Sequence, residues 1–268
     1  MSTTTSILKK NTARNYEATL SRFNASFADR ELASLTPEEI LSFLTQFNPT
    51  VKQSTKRLRY IYVKGFFNFC VNTLDEPLSN PCNTPTLRKM FRDKKGVPWT
   101  ILEKEVVDEI IFKARNIRDR LMMELMARGG MRVNEVLKLT PRDIEDRKLL
   151  LRNPKSGKEV EVVYIPQKIA DRLKEYIRTK HIETDQQIFP ITYSGARLMV
   201  KNAGKVVGIN LKTHDLRRHA ATYASRAGTP LEIVSKVILR HANLSTTQRY
   251  LGKVSDTEAV RWIENLYG

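Results

Sequence analysis

Between Glu76 and Pro98 the apolar rhythm of the chain stops, and that interruption limits what the rest can fold into. Pro77, Pro81, Pro85, Gly96 and Pro98 fall inside it. Proline fixes φ and removes a backbone donor, so neither a helix nor a strand runs through such a stretch. A chain of 268 residues interrupted in this way divides, and each side must bury a core of its own. The break is also basic, with Arg88, Lys89, Arg92, Lys94 and Lys95. A plain linker explains the prolines but not five cations.

Before the break the pattern is helical. Tyr16, Leu20, Phe23 and Phe27 recur at helical spacing across residues 12–27. Thr36-Pro37-Glu38-Glu39 is a capping box with proline at the first helical position, and it opens a helix over 40–47. A longer helix is predicted over 52–74. Leu58, Ile61, Phe66, Phe67 and Cys70 give it an apolar side, and Lys52, Lys56, Arg57, Arg59 and Lys64 charge it. Acids are nearly absent from that stretch, which leaves two readings open: a solvated helix face, or a contact to a DNA backbone.

After the break, helices are predicted over 102–114, 117–128 and 132–139. Leu149-Leu150-Leu151 and Val160 to Ile165 then flank the turn-forming run Asn153-Pro154-Lys155-Ser156-Gly157-Lys158, which predicts a β-hairpin. Helices resume over 167–180, 194–207, 214–227, 230–240 and 245–251. A short amphipathic helix closes the chain over 255–267, with Ala259, Val260, Trp262, Ile263 and Leu266 apolar.

Lys plus Arg number 46 against 29 Asp plus Glu, a net charge of +17. On a chain with a proper core, that surplus points to a polyanionic partner. Cys70 and Cys82 sit in unlike contexts with no metal-ligand spacing and are expected as reduced thiols. No stretch approaches a membrane span, and the first residues lack the apolar region of a signal peptide. A cytoplasmic location with no membrane contact is the expectation.

The chemistry lies in Arg132, in His214-Asp215-Leu216-Arg217, and in a closing block with His241, Leu244 to Arg249 and Tyr250. Two permanent cations, two imidazoles and a phenol suit attack on a phosphodiester by protein rather than by water. The phosphate oxygens want bidentate guanidinium donors. Proton transfers want groups near neutrality, and the attack wants a side-chain oxygen. No metal site is read in this set, and no cofactor is expected.

These pieces resemble the catalytic domain of tyrosine recombinases, the phage-integrase and Xer group. The resemblance spans roughly residue 102 to the end. It rests on Gly130-Met131-Arg132-Val133-Asn134-Glu135-Val136-Leu137, the hairpin lysine, His214 to Arg217, and the run from His241 to Tyr250. It implies a mainly α fold with a small β-hairpin or sheet, arranged as a two-domain clamp around double-stranded DNA. The implied division is a helical, SAM-like core-binding domain over 1–84, a basic proline-containing linker over 85–100, and a mixed α/β catalytic domain over 101–268 ending in an exchange helix.

Carried over by position, the resemblance makes Arg132 and Arg217 the grip on the scissile phosphate. His214 becomes the proton-handling group and His241 a second donor to the phosphate. Lys155 would protonate the departing 5′ oxygen, with Lys158 the alternative. Tyr250 would be the nucleophile that forms a 3′-phosphotyrosine. Glu135 is read as orienting Arg132 or capping its helix. The implied activity is site-specific DNA recombination, or integration, through a Holliday junction in a tetramer on DNA, held by the C-terminal helix. A type IB topoisomerase-like relaxer and a non-catalytic sequence-specific DNA-binding regulator are the alternatives.

Two positions depart from the family's pattern. Leu239-Arg240 stands where Leu-Gly is usual, and Gly129 where threonine is commoner. Arg240, like Lys52, Lys56, Arg57, Arg59, Lys64, Lys94 and Lys95, is expected to touch DNA. His181 and His219 are read as surface or core, and Tyr164, Tyr193 and Tyr223 as packing residues.

Overall fold

A computed structural model describes residues 10–46, 50–74, 77–92, 101–152, 159–251, 260 and 263–264, with only the backbone for Lys10, Asn11, Arg249 and Tyr250. The chain forms two compact units, residues 1–97 and 98–268.

The first unit is helical: α1 (Lys10–Phe27), α2 (Pro37–Gln46), α3 (Gln53–Thr73) and α4 (Pro85–Met90). Its start signals work as the sequence indicates. Thr36 N–H donates to Glu39 Oε2 at 2.9 Å, and Glu39 N–H donates to Thr36 Oγ1 at 3.2 Å, a reciprocal cap on α2. Phe23 sits at the centre of the core with ring contacts to Phe43 at 5.5 Å and Phe67 at 5.8 Å, both edge-on. Val63, Phe67, Ile40 and Leu44 are fully buried around it. Cys70 and Cys82 are free and buried, and burial pushes the Cys82 thiol up to about 12.

The second unit is built around α6 (Ile117–Arg128), in which Leu121 to Ala127 are all buried. A helix buried all round must be covered on every side. α5 (Lys104–Phe112), α7 (Val133–Lys138), α8 (Gln167–Thr179) and α10 (Thr213–Arg226) supply that cover. The β region is a three-stranded antiparallel sheet in the order β1-β2-β3. β1 (Ile144–Glu145), β2 (Lys148–Arg152) and β3 (Val160–Tyr164) alternate buried and exposed positions, Leu149, Leu151 and Val163 facing inward. The two-residue β1 was not anticipated, being too short to carry an alternation. α9 (Tyr193–Lys205) precedes α10, with the side chain of Thr192 capping it through Gly195 N–H at 3.1 Å.

The helix expected over 230–240 does not run through. α11 (Leu231–Ile233) passes into a wide turn over 234–238, where Leu239 N–H donates five residues back to Val234 O at 2.9 Å. α12 (Leu244–Leu251) then follows. Ala221, Val234 and Leu239 are buried together, with Ile238 and Leu251 beside them, so that α10, the wide turn and α12 share one small core. Lys94, Lys95, Lys155, Lys158 and most of the expected tail helix lie outside the described residues.

Candidate active site

Three segments distant in sequence converge in the second unit. The first is the start of α7. Arg132 N–H donates to Glu135 Oε2 at 2.8 Å, and Arg132 Nη1 donates to Glu135 Oε1 at 2.6 Å. Glu135 therefore caps the helix and orients the arginine at once. Arg132 keeps 26% of its side chain exposed, so a ligand can still reach it.

Arg217, on α10, is 1% exposed. Its Nη1 donates to the carbonyl of Gly130 and its Nη2 to that of Leu239, with Nη1 also 4.0 Å from Glu135 Oε2. These two hydrogen bonds use two of the five N–H donors of a guanidinium. Gly130 is obligatory here. Its φ is +60, and a Cβ at that position would lie 2.7 Å from Ile238 O. Glycine alone lets the segment before Arg132 approach the turn before His241.

That turn is the third segment. Arg240 has φ +51, the left-handed region that glycine occupies readily, which gives the family's usual Leu-Gly a physical reason. Arg240, expected to touch DNA, is engaged by groups of the protein itself. The side chain is turned inward, 4% exposed. Its Nη2 donates to Glu135 Oε2 at 2.8 Å and Gly130 O at 3.3 Å, and its Nη1 to Ile238 O at 2.8 Å. Its Nε lies 3.5 Å from Glu161 Oε2 on β3. Burial pulls the Arg240 guanidinium below its usual range, and Glu135 opposes this. Glu135 itself is held below the usual carboxylate range, as Arg240, Arg217 and Arg132 outweigh the cost of its burial.

His241 is buried, and its backbone N–H donates to Ser235 O at 2.9 Å. Its Nδ1 lies 2.9 Å from Thr247 Oγ1 on α12, which lies 2.8 Å from Ser235 Oγ. The polarity of this chain sets the tautomer. With Thr247 donating to Ser235, the proton sits on Nδ1; with the polarity reversed, it sits on Nε2 and can be donated onward. Burial, then Arg217, Arg132 and Arg240, lowers the His241 pKa to about 4. His214, in the first turn of α10, keeps solvent access. Partial burial, then Arg217 and Arg132, lowers its pKa as well. The same two arginines act on both imidazoles, so all four groups occupy one neighbourhood. His214 lines a cavity of about 620 Å³ together with Tyr193, Arg197, Lys201 and Lys212.

Tyr250 belongs to α12, one helical turn after Thr247, the residue that tethers this helix to His241. Lys155 and Lys158 fall outside the described residues, between paired strands whose last register is Arg152 with Val160. In the first unit Lys52 is exposed, and Lys56, Arg57, Arg59 and Lys64 are half-buried along α3. Glu161, Ser235 and Thr247 were not anticipated. A lone acid in a strand and two hydroxyls in helices carry no local signal of a role. His219 is a core histidine, its Nδ1 at 2.9 Å from Leu102 O. Tyr164, Tyr193 and Tyr223 are 54%, 44% and 43% exposed, and Tyr223 stacks on the His219 ring with centroids 5.7 Å apart.

Residues 100–255 match the model of the phage integrase family, and the chain belongs to that family, the tyrosine recombinases. Among its relatives is the tyrosine recombinase XerA of Pyrococcus horikoshii, 30% identical over 90% of this chain and 82% of that one. XerA of Pyrococcus furiosus is also 30% identical, over 97% of this chain and 91% of the relative. Among solved structures, the Tn1549 transposon integrase in complex with transposon right end DNA superposes with a TM-score of 0.75 at 17% identity, covering 98% of this chain and 96% of that one. That likeness shows a shared fold.

Proposed function

We propose that this tyrosine recombinase cuts and rejoins double-stranded DNA at specific sites through a 3′-phosphotyrosine on Tyr250. The observation that carries this is the convergence of Arg132, Arg217, His214 and His241, with α12 tethered to them through Thr247. In this reading Arg132 and Arg217 hold the non-bridging oxygens. The phenol oxygen of Tyr250 attacks phosphorus and its proton passes to His214. The bond to the 5′ oxygen breaks, and Lys155, or Lys158 in its stead, protonates the departing group. A depressed pKa suits His214 to this step, because the imidazole is neutral and able to accept a proton at neutral pH. A phenol with a pKa near 10 attacks only when its developing charge is met by cations, which the fixed guanidinium groups provide. The phosphotyrosine is itself a phosphodiester, so a free 5′ hydroxyl can reverse the attack on a new strand. No bond energy has to be supplied.

The remaining parts follow the same reading. The first unit, with the cations of α3, and the catalytic unit close around the duplex as a clamp. Protomers assemble as a tetramer through the C-terminal helix and pass through a Holliday junction. Support for DNA as the partner comes from solved neighbours of the same fold, XerH bound to difH substrate and a lambda integrase dimer bound to a core site.

Incubating the protein with fragmented genomic DNA, trapping covalent adducts in denaturant and sequencing their ends tests the proposal. Adducts joined at a DNA 3′ end at discrete sites are expected, and none from Tyr250→Phe. Adducts that persist in that variant, or that never form, would reject it.

A further inference from the structure

We propose that Arg240 is a positioning residue for the phosphate grip: it neutralises Glu135 and Glu161 from within, so that Arg132 and Arg217 face the phosphate with net positive charge. The inference rests on the proposed function above.

A side chain in the left-handed region is disfavoured relative to glycine and persists only where its surroundings over-determine it. Arg240, at φ +51, has such surroundings. One guanidinium edge donates to Glu135 Oε2 and to the carbonyls of Gly130 and Ile238, and Nε faces Glu161 Oε2. Glu161 is buried, and Glu135 is 11% exposed. Three guanidinium groups, of Arg132, Arg217 and Arg240, thus share two carboxylates, of Glu135 and Glu161, and one positive charge is left over. Glycine at position 240 would leave two against two and no net charge. Buried carboxylates deprived of a partner draw on whichever cations remain in reach. For Glu135 those are Arg132 and Arg217, the donors assigned to the phosphate.

Glu161 explains why a cation belongs here in this chain. It lies on β3, at the base of the hairpin that carries Lys155, and points to the buried side of the sheet. An acid there is an uncompensated buried charge unless a cation comes to meet it. The arginine at 240 is the cation that does.

A purely mechanical staple and an electrostatic balance make different predictions for one double variant. Arg240→Gly removes the staple, the charge and the backbone strain together. Adding Glu161→Gln restores the charge balance but not the staple. The experiment is NMR on the full chain with labelled histidine, titrating inorganic phosphate as the probe and following the ring signals of His241. Thr247 Oγ1 lies 2.9 Å from its Nδ1 and is itself bonded to Ser235 Oγ, while the charges of Arg217 on α10, Arg132 before α7 and Arg240 act on the ring. Arg240→Gly is expected to weaken phosphate binding roughly ten-fold, the effect of one unit charge at several ångströms in a medium of intermediate dielectric. It should also raise the His241 titration midpoint. Arg240→Gly/Glu161→Gln should return both toward the parent values, and Arg240→Lys should keep them.

The proposal is overturned if Arg240→Gly changes neither quantity, if the double variant is no better than the single, or if phosphate leaves His241 of the parent protein unmoved. Should Arg240→Gly not fold, Arg240→Gln with and without Glu161→Gln makes the same comparison. Persistence of DNA adducts in Tyr250→Phe would reject strand transfer by Tyr250 while leaving this result intact, so the two failures are distinguishable.

Discussion

In the first unit Lys52 stands exposed just before α3, and Lys56, Arg57, Arg59 and Lys64 lie half-buried along that helix, which has no acidic residue. In the second unit Arg217 and Arg240 are buried against backbone carbonyls and Glu135. The two regions use positive charge differently. An exposed cation acts through solvent, is screened within about 10 Å at moderate salt, and adapts its geometry to any phosphate that arrives. A buried, hydrogen-bonded guanidinium has been oriented by folding and does not reorganise when charge develops beside it. In the proposed function the first kind of charge serves affinity and the second serves rate, while the buried guanidinium groups also set the local pKa values.

The largest effect that could break this contrast lies at Arg217. Arg217→Lys keeps the charge, but a single ammonium cannot bridge the carbonyls of Gly130 and Leu239 and also serve the phosphate. A loss of roughly 10²–10³-fold in the rate of adduct formation is expected, as for removal of a preorganised donor. An unchanged rate would mean that charge alone suffices, as on α3.

The next effect is on stability against pH. In the unfolded chain His241 titrates at its ordinary 6.5, and in the folded protein at about 4. The unfolded state therefore binds more protons between those values. The stabilisation is complete above about pH 6.5 and is lost as pH falls toward 4, up to about 3 kcal/mol in all. His214 and His219, also lowered, act in the same direction. Thermal melts from pH 7 to 4 should show a smaller decline for His241→Gln than for the parent, and parallel curves would contradict the placement of the ring.

Gly130→Ala comes third. With φ at +60 and a carbonyl oxygen 2.7 Å from the new Cβ, a loss of about 2 kcal/mol is expected in denaturant unfolding. Retention of parent stability would show that the approach of the two segments is not tight.

The smallest effect per residue belongs to α3. Replacing Lys52, Lys56 and Lys64 by alanine should weaken binding to any duplex. It should also reduce the slope of log K against log salt by about 0.9 for each phosphate contact removed. A parent-like slope would assign these lysines to a solvated face.

Much of the architecture was legible because its signals are local. The capping box at Thr36 to Glu39, the apolar runs Leu149 to Leu151 and Val160 to Ile165 flanking a turn-forming cluster, and the proline break each act over a few residues. The helix expected over 230–240 failed for a non-local reason. Nothing within it shows that Arg217 requires the Leu239 carbonyl or that Gly130 packs against Ile238. The protein partners of Arg240 were hidden in the same way, as they lie on α7 and β3.

The sequence by itself settled which residue types were available: two arginines, two histidines and a phenol, in the family's order, on a chain with surplus positive charge. Only the tertiary structure decided which charges turn inward. The sign of a side chain is written in its chemistry, but whether it meets water, a carbonyl or a carboxylate depends on segments that come together only when the core closes.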